Sequence, residues 1–75
     1  MKAIVQLGMR IRYLRNLRHW SQEDLALEAD INKNYLCDLE NGRRNPTFNI
    51  LERIADAFGI TLSELLRGVE TIEGI

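Results

Sequence analysis

Apolar residues recur at three- and four-residue intervals along most of the chain, a spacing that predicts five helices and no strand. The first predicted helix covers about residues 2–18, and its apolar stripe consists of Ile4, Leu7, Ile11 and Leu14. The fourth covers about residues 48–58, and its apolar face consists of Ile50, Leu51, Ile54, Ala55 and Phe58. Two amphipathic helices of this kind are typical of a scaffold built around one core.

Residues 21–42 predict two short helices joined by a turn of three residues. Ser21 and Asp24 have the spacing of a capping box that opens the first helix, and Asn32 is suited to cap the second. Between them, Asp30 stands where the chain needs a left-handed residue. A helix, a three-residue turn and a second helix form the unit that places its second helix in the major groove of DNA.

The second helix of this unit has a polar and an apolar side when successive residues are rotated by about 100°. The polar side carries Lys33, Asn34, Cys37, Asp38 and Asn41, and the other side carries Tyr35, Leu36 and Leu39. A face that only contacts solvent is usually rich in Glu and Lys, whereas this one carries short hydrogen-bonding groups that suit base edges. The composition therefore favours base contact over an ordinary solvated face.

The segment after this helix contains strong helix-terminating residues. Gly42 is expected to end the helix, and Pro46 excludes further helix before Thr47 caps the next one. Arg43 and Arg44 stand on this loop, where they suit contact with the phosphate backbone. The alternative is an ordinary solvated basic pair.

Four further residues stand next to the predicted end or start of a helix. His19 is expected to end the first helix in a left-handed or bridging conformation, and Trp20 to cover the second helix as a hydrophobic staple rather than stack on a nucleotide. Thr61 and Glu64 have the spacing of another capping box, which predicts the start of the fifth helix.

Length and composition exclude several classes of protein. Seventy-five residues with 45% apolar content predict one domain, residues 1–75, with one core. One cysteine excludes an internal disulfide, and one cysteine with one histidine cannot supply four zinc ligands, so no metal is expected. No nucleophile and base pair, carboxylate pair or phosphate-binding glycine loop appears, so we expect no enzymatic activity, cofactor or small-molecule ligand. The absence of a signal peptide and of a membrane span predicts a cytoplasmic protein.

The charge of the chain is distributed unevenly. A net charge of -1 is unusual for a protein that binds DNA, because phosphate neutralisation normally supplies much of the affinity. Residues 1–46, however, hold eight Lys or Arg against six Asp or Glu, whereas residues 47–75 hold two against five. The basic part contains the predicted helix-turn-helix, so the acidic part is expected to lie away from the duplex.

Four segments carry a resemblance to a known family. They read I-R-Y-L-R at 11–15, S-Q-E-D-L-A at 21–26, N-Y-L-C-D-L-E-N-G-R-R-N-P-T at 34–47 and F-G-I-T-L-S-E-L-L at 58–66. Through them the chain resembles the phage-repressor and Cro type of helix-turn-helix regulator, the XRE family, and is particularly similar to restriction-modification controller proteins. The resemblance implies a compact, all-α, five-helix lambda-repressor-like domain that binds double-stranded DNA and regulates transcription.

The resemblance also implies an ion pair between Arg15 and Glu40. Each residue lies at the edge of the apolar stripe of its helix, so the residues alone are equally compatible with two solvated charges. In the family, an arginine of the first helix and a glutamate at the end of the recognition helix form a partly buried salt bridge. Such a pair would fix the recognition helix on its scaffold.

For DNA contact, residues that position the protein are distinguished from those that read the sequence. Lys33 can donate to guanine O6 and N7, Asn34 can bind adenine N6 and N7, and Asp38 can accept from the amino group of cytosine. Backbone contacts are expected from Gln22, Asn32, Tyr35, Asn41, Arg43, Arg44 and Asn45. For Arg44 and Asn45, the alternative to backbone contact is contact with the bases. Cys37 is expected to be a DNA-facing thiol, either as a serine substitute or as a redox switch.

The last predicted helix has more apolar residues than one small core needs. The surplus predicts a dimerisation region over about residues 61–75, with an interface formed by Leu62, Leu65, Leu66, Val69 and Ile72. A two-fold homodimer would place two recognition helices about 34 Å apart on a palindromic operator. The alternative is that the last of these residues belong to a frayed tail. A second functional hypothesis is an antitoxin-type interaction module that sequesters a partner protein and also binds DNA.

Overall fold

The computed structural model describes residues 2–69, which form five helices and, within that range, no strand. The helices are α1 (Ala3–Leu17), α2 (Gln22–Ala29), α3 (Lys33–Glu40), α4 (Phe48–Phe58) and α5 (Leu62–Leu65). The predicted all-α fold is confirmed. Helix α1 is one residue shorter at each end than expected, because Lys2 is extended and Arg18 has left the helical conformation.

The two helices of the helix-turn-helix begin at the predicted caps. Ser21 Oγ accepts the amide hydrogen of Asp24 at 3.0 Å, and Asp24 Oδ2 accepts that of Ser21 at 2.9 Å. Asn32 Oδ1 accepts two amide hydrogens at the start of α3, from Asn34 at 2.7 Å and Tyr35 at 3.2 Å. These bonds satisfy amide groups that have no partner within the helix, so both helices have defined first turns.

The chain reverses direction after α1 and α2 at residues with positive φ. Asp30 has a φ of 54°, which confirms its predicted left-handed conformation, and His19 has a φ of 57°, which excludes the bridging alternative predicted for it. The Trp20 ring stacks on Phe58 of α4, with centroids 5.8 Å apart and an interplanar angle of 17°. Trp20 therefore ties the α1–α2 turn to α4, a contact that the prediction of a staple over α2 did not include.

All five helices contribute to one core. Its most deeply buried side chains, each with 0% exposure, are Ile11, Leu25, Leu36, Leu39, Ile54 and Leu65. Burial of each such side chain stabilises the fold by about 1.5 to 3 kcal/mol. Leu36 and Leu39 therefore anchor one side of α3 in the core, and the polar side of the helix remains exposed.

The assignment of Leu65 to a dimer interface is wrong, because this side chain is completely buried within one chain. An apolar surplus in the sequence does not distinguish residues of a core from residues of an interface, and here Leu65, the last residue of α5, belongs to the core. Leu62, Leu66 and Val69 pack against the core and remain partly exposed. Ile72 lies outside the described residues.

Helix α1 approaches α3 closely at Gly8. A Cβ at this position would lie 2.5 Å from the carbonyl oxygen of Leu39 and 2.6 Å from that of Glu40. No ordinary side chain fits at such distances, so the absence of a side chain at Gly8 sets the spacing between the two helices. The sequence contains no local signal for this role, which only the packing of the two helices reveals.

The start of α5 differs in one detail from the expected capping box. Thr61 Oγ1 accepts the amide hydrogen of Glu64 at 3.1 Å, as predicted. The carboxylate of Glu64 instead accepts a hydrogen bond from Arg67 Nη2 at 2.8 Å. The competition of a nearby guanidinium explains why the side chain turns away from the cap.

Candidate nucleic-acid interface

Helix α3 is fixed to the scaffold by a buried carboxylate. The side chain of Glu40 is 0% exposed, and Arg15 of α1 donates to both of its oxygens: Nε to Oε2 at 2.8 Å and Nη2 to Oε1 at 3.0 Å. Arg15 Nη1 also donates to the carbonyl oxygen of Trp20 at 2.8 Å. The expected ion pair is thus present in a bidentate form, which fixes the end of α3 in both position and orientation.

Two further side chains complete the set of donors around Glu40. Gln22 Nε2 lies 3.1 Å and Arg12 Nε 3.4 Å from Glu40 Oε1. Arg12 Nη2 also donates to Asn41 Oδ1 at 3.2 Å. The sequence gives no motif for Arg12, although its position three residues before Arg15 places both on the same edge of α1.

The environment of Glu40 favours its charged form. Burial by itself raises the pKa of this carboxyl group, but the hydrogen bonds from Arg15, Gln22 and Arg12, together with the charge of Arg15, hold it below its ordinary value of 4.5. The hydrogen bond to Glu40 raises the pKa of Arg15 in turn, against the opposing effect of burial. Both groups are therefore charged in the folded protein at neutral pH.

Gln22 has a role that the sequence did not reveal. One hydrogen of its side-chain amide is used by Glu40, so the residue links the start of α2 to the end of α3. The second hydrogen of Nε2 is not needed for that bond. Glu40 thereby also fixes the orientation of the Gln22 side-chain amide.

The N-terminal half of α3 presents exposed polar side chains. Asn34 is exposed, and so is Lys33, whose Nζ lies 3.7 Å from Glu23 Oε1 of α2. The side chains of this pair are 55% and 77% exposed, so the contact is weak and can be exchanged for another acceptor. Lys33 and Asn34 are thus accessible to a ligand that approaches this face.

Cys37 in the C-terminal half of α3 and Asn41 directly after the helix lie one turn apart. Asn41 Nδ2 donates to the carbonyl oxygen of Cys37 at 2.9 Å and lies 3.6 Å from its Sγ. Because Asn41 Oδ1 also accepts from Arg12, both ends of this amide are engaged within the protein. Cys37 is partly exposed.

The arginines after α3 turn back towards it. Arg44 Nη2 lies 3.5 Å from Asp38 Oδ2, and Arg43 Nη1 lies 3.9 Å from Asp38 Oδ1. The Arg44 guanidinium also lies 4.7 Å from the centroid of the Tyr35 ring. These contacts join α3 and the following loop into one surface, on which Asn45 is exposed as well.

The described residues show neither a metal-binding cluster nor a membrane-spanning helix. Within residues 2–69, no group of three or more His, Cys, Asp or Glu side chains is arranged to hold a metal ion. In the same part of the chain, no helix has the length and apolar character needed to cross a bilayer.

The matching family model has the description helix-turn-helix and covers residues 11–65. The transcriptional regulator DdrOP3 of Deinococcus deserti is 44% identical over 66 residues, which cover 88% of this chain and 51% of that protein. The immunity repressor of Bacillus phage phi105 is 39% identical over 66 residues, which cover 45% of its length. The chain therefore spans about half the length of these two relatives.

Other similar proteins have about the same length as this chain. Control protein C.MunI of a Mycoplasma species is 37% identical over 67 residues, which cover 88% of this chain and 90% of that protein. The crystal structure of the restriction-modification controller protein C.AhdI from Aeromonas hydrophila superposes with a TM-score of 0.81 at 34% identity, covering 83% of this chain and 94% of that one. The chain therefore belongs to the helix-turn-helix family of the XRE type, and it is similar to a transcriptional regulator, a phage repressor and restriction-modification control proteins.

Proposed function

We propose that this protein is a sequence-specific transcriptional regulator of the restriction-modification controller type, which binds a palindromic DNA operator as a homodimer without a cofactor. The observation that carries the proposal is the construction of α3. Its inner side is anchored by Leu36, Leu39 and the buried Glu40, and its outer side is polar and accessible. A rigidly held helix with an exposed hydrogen-bonding face suits insertion into a major groove.

Sequence recognition is assigned to the exposed side of α3. The Lys33 ammonium suits guanine O6 and N7, and the Asn34 amide suits adenine N6 and N7. Asp38 suits the amino group of cytosine or adenine, since a carboxylate only accepts hydrogen bonds. The accessibility of Lys33 and Asn34 supports this assignment.

Positioning on the duplex is assigned to residues around α3. Arg43, Arg44 and Asn45 follow the helix and are exposed, so phosphates can reach them. The second hydrogen of Gln22 Nε2 contributes at the start of α2, where the helix dipole also favours an anion. Smaller contributions are assigned to three side chains near the ends of α3, namely Asn32, Tyr35 and Asn41.

The dimer interface is assigned to the partly exposed apolar residues near α5, which are Leu62, Leu66 and Val69. Met9 and Tyr13 of α1 support a larger apolar surface here, because they are 53% and 55% exposed and line a groove together with Gly68. Two copies joined through this surface would present two recognition helices to successive turns of DNA. A DNA target further implies that the protein acts in the cytoplasm.

Selection of bound fragments from a random pool of DNA duplexes tests the proposed function. We expect recovery of an inverted repeat whose half-sites are about one helical turn apart, bound by two chains. Recovery of no enriched sequence, with affinity that depends only on salt, would contradict the proposal. A protein with Glu40→Ala serves as control, because loss of the anchor of α3 should abolish the enrichment.

A further inference from the structure

Asp38 contacts both arginines of the loop that follows α3. Its two oxygens lie 3.9 Å from Arg43 Nη1 and 3.5 Å from Arg44 Nη2. The Arg44 guanidinium is simultaneously 4.7 Å from the centre of the Tyr35 ring. One carboxylate on the recognition helix therefore holds the two side chains that are the strongest candidates for phosphate contact.

The backbone at the end of α3 brings these groups together. The amide of Arg43 donates to the carbonyl oxygen of Asp38 at 2.9 Å, and the amide of Gly42 donates to that of Leu39 at 3.2 Å. Gly42 adopts the required left-handed conformation with a φ of 71°. Since the loop is folded back on the last turn of α3, both guanidinium groups stay within reach of Asp38.

The ion pairs of Asp38 are exposed and therefore exchangeable. The side chains of Asp38, Arg43 and Arg44 are 37%, 70% and 49% exposed. Ion pairs at such exposure are weak and are screened by salt. A phosphate oxygen, which is as good an acceptor for arginine as a carboxylate, can take the place of Asp38.

We propose that Asp38 is a specificity-determining residue that acts through Arg43 and Arg44. In the free protein its charge is compensated by the two guanidinium groups. When these transfer to phosphates, Asp38 faces the duplex without a cation. A base amino group in front of it restores a donor, whereas any other base leaves an uncompensated carboxylate beside the phosphates.

This inference rests on the proposed function and extends it. Every duplex causes the loss of the same ion pairs, but only some sequences return a hydrogen-bond donor to Asp38. Unrelated DNA is thereby penalised more than the operator. A residue that only read a base would not change the salt dependence of binding, whereas Asp38 is expected to do so, because it competes with phosphates for the arginines.

The first arm of the test uses the protein without DNA and does not depend on the proposed function. The Nε–Hε resonances of Arg43 and Arg44 and the ring resonances of Tyr35 are recorded by NMR for the wild type and Asp38→Asn. We expect the resonances of Arg44 and Tyr35 to shift in Asp38→Asn, and we expect high salt to cause the same shifts in the wild type. The control is Asp56→Asn, which removes an exposed carboxylate of α4 with the same change in net charge and should leave these resonances unchanged. Unchanged resonances in Asp38→Asn would overturn the proposal.

The second arm measures binding to the selected operator and to a scrambled duplex at several salt concentrations. Asp38→Asn should bind the scrambled duplex about three- to tenfold more tightly, with a salt slope steeper by about one unit. Its gain in affinity for the operator should be smaller. Circular dichroism verifies that its helical content is retained. In an Arg43→Ala, Arg44→Ala background, Asp38→Asn should change binding to the scrambled duplex less than about twofold, since the arginines through which it acts are gone.

The outcomes separate this inference from the proposed function. If Asp38→Asn raised the affinity for the scrambled duplex equally in the presence and absence of the arginines, Asp38 would repel DNA directly. That result would overturn the inference alone. A wild type that binds operator and scrambled duplexes equally well would overturn the proposed function and the specificity role together. The NMR result would then still report whether Asp38 holds the arginines.

Discussion

Arg15 and Glu40 form a two-point ion pair across the interface of α1 and α3, with contacts of 2.8 and 3.0 Å. The side chain of Glu40 is completely buried and that of Arg15 is 12% exposed. The pair joins the scaffold to the helix that carries the candidate base contacts. The stability of the fold and the function of the surface are thus connected at one carboxylate.

Loss of Arg15 is expected to destabilise the fold strongly. Arg15→Ala should lower the free energy of unfolding by about 3 to 5 kcal/mol, because Glu40 would remain buried with weaker compensation. Arg12→Ala is the matched control: its side chain is 46% exposed, so its loss should cost about 1 kcal/mol or less. Urea denaturation of Arg15→Ala, Glu40→Ala and the double variant measures the coupling. Additive losses would contradict an energetic link between the two residues.

The stability of the protein should depend on the ionisation of Glu40. The folded state holds its pKa below the ordinary value of 4.5, so the pair contributes stability above that pH and loses the contribution as the pH falls through the lowered pKa. Unfolding free energies measured from pH 7 downwards should therefore fall more steeply for the wild type than for Glu40→Gln, which has no group to titrate. Parallel curves for the two proteins would rule out this contribution.

Gly8→Ala should destabilise the protein although alanine is the better helix former. Its intrinsic gain in a helix is about 1 kcal/mol, but the added Cβ would overlap the carbonyl oxygens of Leu39 and Glu40. The resulting separation of α1 from α3 should cost about 1 to 3 kcal/mol or more, and this cost should outweigh the gain in helix propensity. Thermal unfolding measures the sign, with Asn16→Ala on the exposed side of α1 as control. An increase in melting temperature for Gly8→Ala would contradict the close approach.

A bulky adduct on Cys37 should abolish operator binding without loss of helical content. Cys37 is partly exposed on α3, and a group larger than a thiol would separate the helix from the bases. The protein is treated with iodoacetamide, the adduct is verified by mass, and the operator titration is repeated. Cys37→Ser, treated identically, should bind normally. Full affinity of the modified protein would place Cys37 away from DNA.

The sequence predicted those features that depend on neighbouring residues. The caps at Ser21, Asn32 and Thr47 and the left-handed conformation of Asp30 follow from hydrogen bonds and sterics within a few positions. The pairing of Arg15 with Glu40 came from the resemblance, because residues 25 positions apart show no local signal.

The remaining features depend on how the helices pack. The sequence does not place Leu65 correctly because its burial depends on how α5 packs against the core, and against α4 in particular. The close approach at Gly8 is visible only once α3 lies against α1. The contacts of Asp38 with Arg43 and Arg44 require a loop that folds back on its own helix, and no pattern of residue types specifies that path.

The central claim is that the exposed side of α3 reads DNA sequence. The most direct test compares Lys33→Ala and Asn34→Ala with Arg43→Ala in titrations against the selected operator and a set of single-base-pair variants. We predict that each α3 variant loses about 1 to 3 kcal/mol on the operator and relaxes its preference at one base pair per half-site. Arg43→Ala should weaken all duplexes alike and reduce the salt slope by about one unit. Uniform losses across all duplexes for Lys33→Ala and Asn34→Ala would contradict the claim.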